Sequence, residues 1–161
     1  MVVEGAGFLL NDEMDDFSAK PGVANVFGAV GGTANEIQPQ KRMLSSMTPT
    51  MVLEDGKITM ITGSPGGTTI ISSVYESILN ALVFNMDAQT TVDSPRFHHQ
   101  LLPKDQIRYH PGIAPEVLQQ LETMGYQLNN SRFGDMHVII DKKGKVEAGS
   151  EASGRGKAMV F

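Results

Sequence analysis

The sequence predicts an α+β domain, a mostly antiparallel sheet with helices packed on it. Three observations predict it. Residues 50–54 and 57–62 alternate apolar and polar side chains around Asp55-Gly56, a dipeptide suited to the positive φ angles of a tight hairpin turn. Residues 136–141 and 145–148 flank Lys142-Lys143-Gly144 in the same manner. Between these hairpins the apolar residues change to helical spacing, at Ile70, Ile71, Val74, Ile78 and Leu82.

In chain order, residues 7–10 read as a short apolar strand that ends in the acidic segment Glu13, Asp15, Asp16. Residues 18–40 are rich in Gly, Pro, Ala and Asn with no sustained period, and a loop of that length is functional or mobile. After the first hairpin comes the strongest helix, with Ser64 as N-cap and Pro65 in its first turn, running to Phe84. A short helix over 87–92 is stopped by Pro95. Residues 96–100 and 106–110 are candidate strands. Pro115 opens an amphipathic helix with Val117, Leu118, Leu121 and Met124 on its apolar face and Gly125 at its end. Nothing repeats internally, and residues 1–161 read as a single domain.

Composition narrows the function. Forty per cent hydrophobic and 19% charged residues describe a globular chain. A net charge of -5 with no Lys/Arg cluster argues against a nucleic-acid partner. The absence of cysteine excludes disulfides and thiolate sites. No apolar run reaches membrane-span length, and the first residues lack a signal-peptide pattern. The ten methionines read as adaptable core filler.

Four motifs could carry chemistry. Gly63-Ser64-Pro65-Gly66-Gly67 joins a strand to a helix start, where backbone N–H groups lack internal partners and no Cβ shields them. Taken alone it is a connecting turn; as a site it suits a phosphate, a carboxylate or an acyl-transfer oxyanion. Glu13, Asp15 and Asp16 are a solvated acidic turn or a seat for a cation. Ser45-Ser46, after Lys41-Arg42, is a strand entry or a pair of hydroxyls for a carboxylate. His98-His99 would point to opposite strand faces and so read as hydrogen-bonded structural residues, not metal ligands.

This ordered set, completed by the segments Gly7–Ser18, Lys41–Pro49 and Asp93–Gln100, resembles the small subunit of gamma-glutamyltranspeptidase, an N-terminal-nucleophile hydrolase. The resemblance runs over residues 4–149. It implies part of an αββα sandwich and a cofactor-free transfer of a γ-glutamyl group from glutathione or a related amide to an amino acid, a peptide or water. It implies that Glu13 and Asp16 hold the donor's α-amino group, with Asp15 a structural neighbour. Ser45 and Ser46 would hold its α-carboxylate, and Gly66 and Gly67 would form the oxyanion hole. The family's nucleophile is a threonine a couple of dozen residues upstream of the segment matching 4–17. The expectation is therefore a fragment, inactive alone, whose partners are the γ-glutamyl donor and the large subunit or an upstream segment of the same precursor, or a second copy of itself. A periplasmic or extracellular setting is implied for the parent family. Two other classes stay open: a stand-alone module for glutamate-like ligands, and one half of a split enzyme. At residues 149–153 the chain departs from the Asp-Pro-Arg pattern of many relatives.

Overall fold

A computed structural model describes residues 3–161. The chain divides into two compact units, Met1–Ser46 and Met47–Phe161.

The first unit is built from turns. Two short 3-10 turns, Glu13–Asp16 and Thr33–Asn35, and the isolated bridges Ser18↔Glu36 and Ala24↔Val30 supply most of its regular pairing. Residues 7–10 do not form the expected strand. They make a single bridge at Leu9 and stay exposed, because no neighbouring strand is there to pair with them among the described residues. The 18–40 region is the loop its composition suggests. Asn25 organises its tip, its side-chain oxygen accepting the N–H groups of Phe27 and Ala29 at 3.0 Å each.

The second unit carries the sheets. β1 (Thr50–Glu54), β2 (Lys57–Gly63), β6 (His137–Lys142) and β7 (Lys145–Ser150) form a four-stranded antiparallel sheet in the order β1-β2-β6-β7. Both hairpins form where the turn dipeptides place them, with one register shift between Val52 and Leu53. One face of this sheet presents Val52, Met60, Val138 and Ile140 to α1 (Thr69–Ile78) and α2 (Ala88–Asp93), and the core lies between them with Val74, Ala81, Ala88, Val92 and Met136. The other face carries a row of paired apolar residues, Met51, Ile61, Ile139 and Ala148, one from each strand. Met51 and Ile139 are exposed there, and a groove of about 520 Å³ runs along Ile61, Ile139 and Ala148, bounded by Lys157, Ala158 and Met159.

The long helix differs from the spacing that predicted it. α1 gives way at Leu79–Val83 to a π turn, with Phe84 N–H bonded to the Leu79 carbonyl. The extra residue rotates the last part of the helix, so Ala81 is buried and Leu82, expected on the apolar face, is exposed. Ile71 also faces outward. α2 is capped by Asp87, whose carboxylate accepts the Thr90 N–H at 2.8 Å.

A second sheet contains β3 (Phe97–His99), β4 (Gln106–Tyr109) and β5 (Gln127–Asn130). β5 is parallel to β4, and α3 (Pro115–Thr123) makes the crossover that a parallel pair requires. The polar string Gln-Leu-Asn-Asn gives no strand signal, so β5 has no counterpart in the sequence reading. Along β3 the side chains alternate as expected: His98 is buried, bonded to Ser72 Oγ and Gln100 Oε1 at 2.8 Å each, while His99 is exposed with its ring edge-on to Tyr126.

A buried ion pair closes this unit. Arg96 and Glu151 are almost fully buried, 2.7 Å apart. Arg96 also donates to the carbonyls of Val92 and Phe133, at 2.9 and 3.1 Å, and Glu151 accepts the Met136 N–H and the Ser153 hydroxyl. Burial by itself would raise the Glu151 carboxyl; the Met136 N–H, the Arg96 guanidinium and the Ser153 hydroxyl outweigh it and hold it below the usual range. Glu76 shifts the other way. Burial pushes its carboxyl up to about 7 against the Phe97 N–H and the charge of Arg96.

Arg96→Met leaves Glu151 buried without a counter-charge and is expected to cost about 3–5 kcal/mol in urea unfolding; a loss below about 1 kcal/mol would show the pair to be dispensable. The two carboxyls predict opposite pH dependences. The folded-state value of Glu151 lies below its unfolded one, so its stabilisation is full above 4.5 and lost as the pH falls through the lowered folded value. Glu76 keeps a proton in the fold that the unfolded chain releases, so stability falls as the pH rises from 4.5 to about 7. Glu76→Gln should flatten that upper slope, and an unchanged slope would assign it elsewhere.

Candidate functional site

The candidate residues fall in both units. In the first, a 3-10 turn sets the acidic side chains. Such a turn has three residues per revolution, so residues three apart lie in line. Glu13 and Asp16 therefore share one side of Glu13–Asp16, and Asp15 points away from it. Asp16 is half-buried, whereas Glu13 and Asp15 are exposed. Thirty residues on, Ser46 Oγ donates to Asp16 Oδ2 at 2.9 Å. The structure thus brings Asp16 and the serine pair together at one spot, with Ser45 and Ser46 exposed beside it.

In the second unit, β2 ends at Gly63 and the chain turns through Gly66 and Gly67 at φ of 142° and 59°. Both values lie in the half of the map that side chains avoid, which is why glycine stands at each. Thr69, buried, locks the turn from inside: its N–H and its hydroxyl both donate to the Gly66 carbonyl, at 3.2 and 2.8 Å. The Ile70 N–H donates to the Gly67 carbonyl at 3.2 Å. With these carbonyls turned toward the helix, the N–H groups of Gly66 and Gly67 donate to no described residue.

Ser64 is not the N-cap of α1, as its position in the tract suggests. The helix begins only at Thr69, with Thr68 before it. Ser64 Oγ instead accepts the Asp135 N–H at 3.0 Å and donates to the Pro65 carbonyl at 2.8 Å, and so ties the turn to the strap before β6. Gly134, at φ of 78°, permits that approach; a Cβ there would lie 2.7 Å from Ser64 Oγ. A cleft of about 210 Å³ opens beside the turn, lined by Pro65, Gly66, Gly134, Asp135, Ser153, Gly154 and Arg155. Its far wall is held by Asp135 Oδ2, which accepts the Arg155 N–H at 3.2 Å. The strap and the 153–155 wall carry no motif that marks them in the sequence. Only the turn-forming Gly134-Asp135 pair hints at them. Among the described residues, no group of three or more His, Asp or Glu is placed to hold a metal ion.

Comparison with known proteins bears on both units. The family model for gamma-glutamyltranspeptidase matches residues 1–161. The chain is 49% identical to the glutathione hydrolase proenzyme of Pseudomonas aeruginosa, over 99% of its own length and 29% of that protein. It is 42% identical to the glutathione hydrolase proenzyme of Escherichia coli, over 94% of its length and 26% of that protein. The chain thus spans under a third of these two curated relatives. The gamma-glutamyltranspeptidase from Pseudomonas nitroreducens, solved in complex with L-DON, superposes with a TM-score of 0.92 at 47% identity, covering 100% of this chain and 86% of that one. The α+β fold with its mostly antiparallel sheet is that of part of an αββα N-terminal-nucleophile hydrolase. The chain belongs to the gamma-glutamyltranspeptidase family.

The geometry of the turn yields a direct test. Gly66→Ala adds a methyl group at a positive φ and drives it against the Thr69 hydroxyl that locks the turn. Urea unfolding should show a loss of about 1–2 kcal/mol or more; unaltered stability would mean that the turn adopts another conformation.

Proposed function

We propose that these residues form the donor-binding and oxyanion-hole portion of a gamma-glutamyltranspeptidase, which moves a γ-glutamyl group from glutathione or a related amide to an amino acid, a peptide or water. The observation that carries this reading is the 2.9 Å contact between Ser46 Oγ and Asp16 Oδ2. An α-amino acid bears its ammonium and its carboxylate on the same carbon. A site that recognises both must therefore place a carboxylate next to hydrogen-bond donors, as Asp16 and the Ser45-Ser46 pair are placed. Asp16, seconded by Glu13, takes the α-ammonium; the two serine hydroxyls take the α-carboxylate, the single O–H of Ser46 turning from Asp16 Oδ2 to the ligand as the ammonium replaces it there. The N–H groups of Gly66 and Gly67, which donate to no described residue, suit the oxygen that becomes negative when a nucleophile adds to the γ-carbonyl.

In the family the nucleophile is an N-terminal threonine. Its hydroxyl adds to the γ-carbonyl, its own α-amine takes the proton, and the amine of the donor leaves to give a γ-glutamyl ester. An acceptor amine or water then displaces the threonine. That threonine lies in an upstream segment of the precursor, by this reading, so the present chain acts together with that segment and the large subunit, in a periplasmic or extracellular setting. The Met51, Ile61, Ile139 and Ala148 row, exposed at Met51 and Ile139, suits a covering partner of that kind. The 161 residues then function as one domain of the whole enzyme, without a cofactor.

Two measurements test this. By calorimetry with L-glutamate, Asp16→Ala should weaken binding by about 1.5–3 kcal/mol, the range for a lost charge-assisted contact, and Asp15→Ala should change little. Equal effects would show that the wrong carboxylate has been chosen. The purified 161-residue chain alone should not turn over a chromogenic γ-glutamyl anilide; turnover abolished by Ser45→Ala or Ser46→Ala would replace the threonine mechanism with a serine one.

A further inference from the structure

We infer that Asn35 is a positioning residue for donor recognition, a strut that sets the distance between the ammonium seat and the carboxylate seat without touching either ligand group. The inference rests on the donor-site reading and assigns a residue that no sequence motif singles out. Asn35 ends the second 3-10 turn of the first unit and is half-buried. Its side-chain Nδ2 donates to the Asp16 carbonyl at 2.6 Å. Its side-chain Oδ1 accepts the Leu44 N–H at 3.0 Å. Its backbone carbonyl accepts the Ser18 N–H at 2.8 Å, and its backbone N–H donates to the Gly32 carbonyl at 3.1 Å.

One carboxamide thus holds the backbone of Asp16 on one side and the backbone next to Ser45 on the other. The segments it joins, 16–18 and 44–46, belong to no common sheet. Alongside the bond between Ser46 and Asp16 themselves, the Asn35 carboxamide bridges the two segments by bonding to both. A donor and an acceptor on one planar group are what both contacts at once require. Asp would keep the acceptor for Leu44 and lose the donor for Asp16; Ala would lose both. A fixed separation matters because the ammonium and the carboxylate of an α-amino acid sit on one carbon, and their receptors must match that spacing to act together.

The test is discrimination between L-glutamate and glutarate, which has the same chain without the α-amine. Calorimetry on the 161-residue chain gives the ratio of the two affinities. The unaltered chain should prefer glutamate, and Asp16→Ala should abolish the preference. Asn35→Ala should lower it on the order of tenfold, by letting Asp16 drift from the serines, the scale of one lost hydrogen bond. A substitution that only loosened the fold would weaken both ligands in equal proportion and leave the ratio unchanged. Asn35→Asp should likewise lower the ratio while preserving hydrogen-exchange protection at the Leu44 amide; it serves if Asn35→Ala does not fold. A preference unchanged in the Asn35 variants but lost in Asp16→Ala overturns the strut alone. No preference in the unaltered chain, or one that survives Asp16→Ala, overturns the donor reading and the strut with it.

Discussion

The larger unit depends on one buried charge pair. Arg96 comes shortly after the helix α2 and reaches into a region with almost no solvent, where an isolated guanidinium would be very costly. Glu151 meets it there, and the pair then recruits backbone from three places: the end of α2 through Val92, the strap through Phe133 and Met136, and the exit of β7 through Glu151 itself. Hydrophobic packing alone would bring these segments together without fixing their offsets. Directional bonds to a rigid guanidinium fork do fix them. The consequence reaches the glycine turn, because the strap that Arg96 anchors is the one Ser64 grips through Asp135.

The two units solve the same problem in different ways. Around Gly66 and Gly67 the proposed ligand groups are backbone amides, and their direction is set by φ angles open to glycine and by the buried Thr69. Around Asp16 the proposed ligand groups are side chains on segments with little secondary structure, and the Asn35 carboxamide bonds to the backbone of both segments. In both places the groups that would meet a ligand are set by a neighbour that would not. Such neighbours make a site rigid enough to discriminate, and substitution there alters recognition without removing a contact to the ligand.

Legibility from sequence follows the range of the interactions. Local rules locate both hairpins, because Asp55-Gly56 and Lys143-Gly144 declare their turns, and locate α2 and α3 through Asp87, Pro95 and Pro115. The glycine tract is legible for the same reason: two adjacent glycines before a threonine are a backbone statement. Tertiary context overrides local signals elsewhere. The π turn displaces Leu82 from the core, β5 forms from a polar string because β4 and α3 offer it a place, and Ser64 leaves its cap role for the strap. The Asn35 links to Asp16 and Leu44 and the Arg96–Glu151 pair have no local signature, since they span 9 to 55 positions and no periodicity announces them. The donor-site residues are named by resemblance, and the chain itself presents only adjacent acids and adjacent serines.

The central claim is that the Asp16 and Ser46 region binds an α-amino acid. Backbone amide NMR during titration with L-glutamate reads this residue by residue. Perturbations are expected to centre on residues 13–16 and 44–46, with the D-enantiomer producing much weaker ones at the same positions. Shifts confined to other parts of the chain, or identical for both enantiomers, would contradict it.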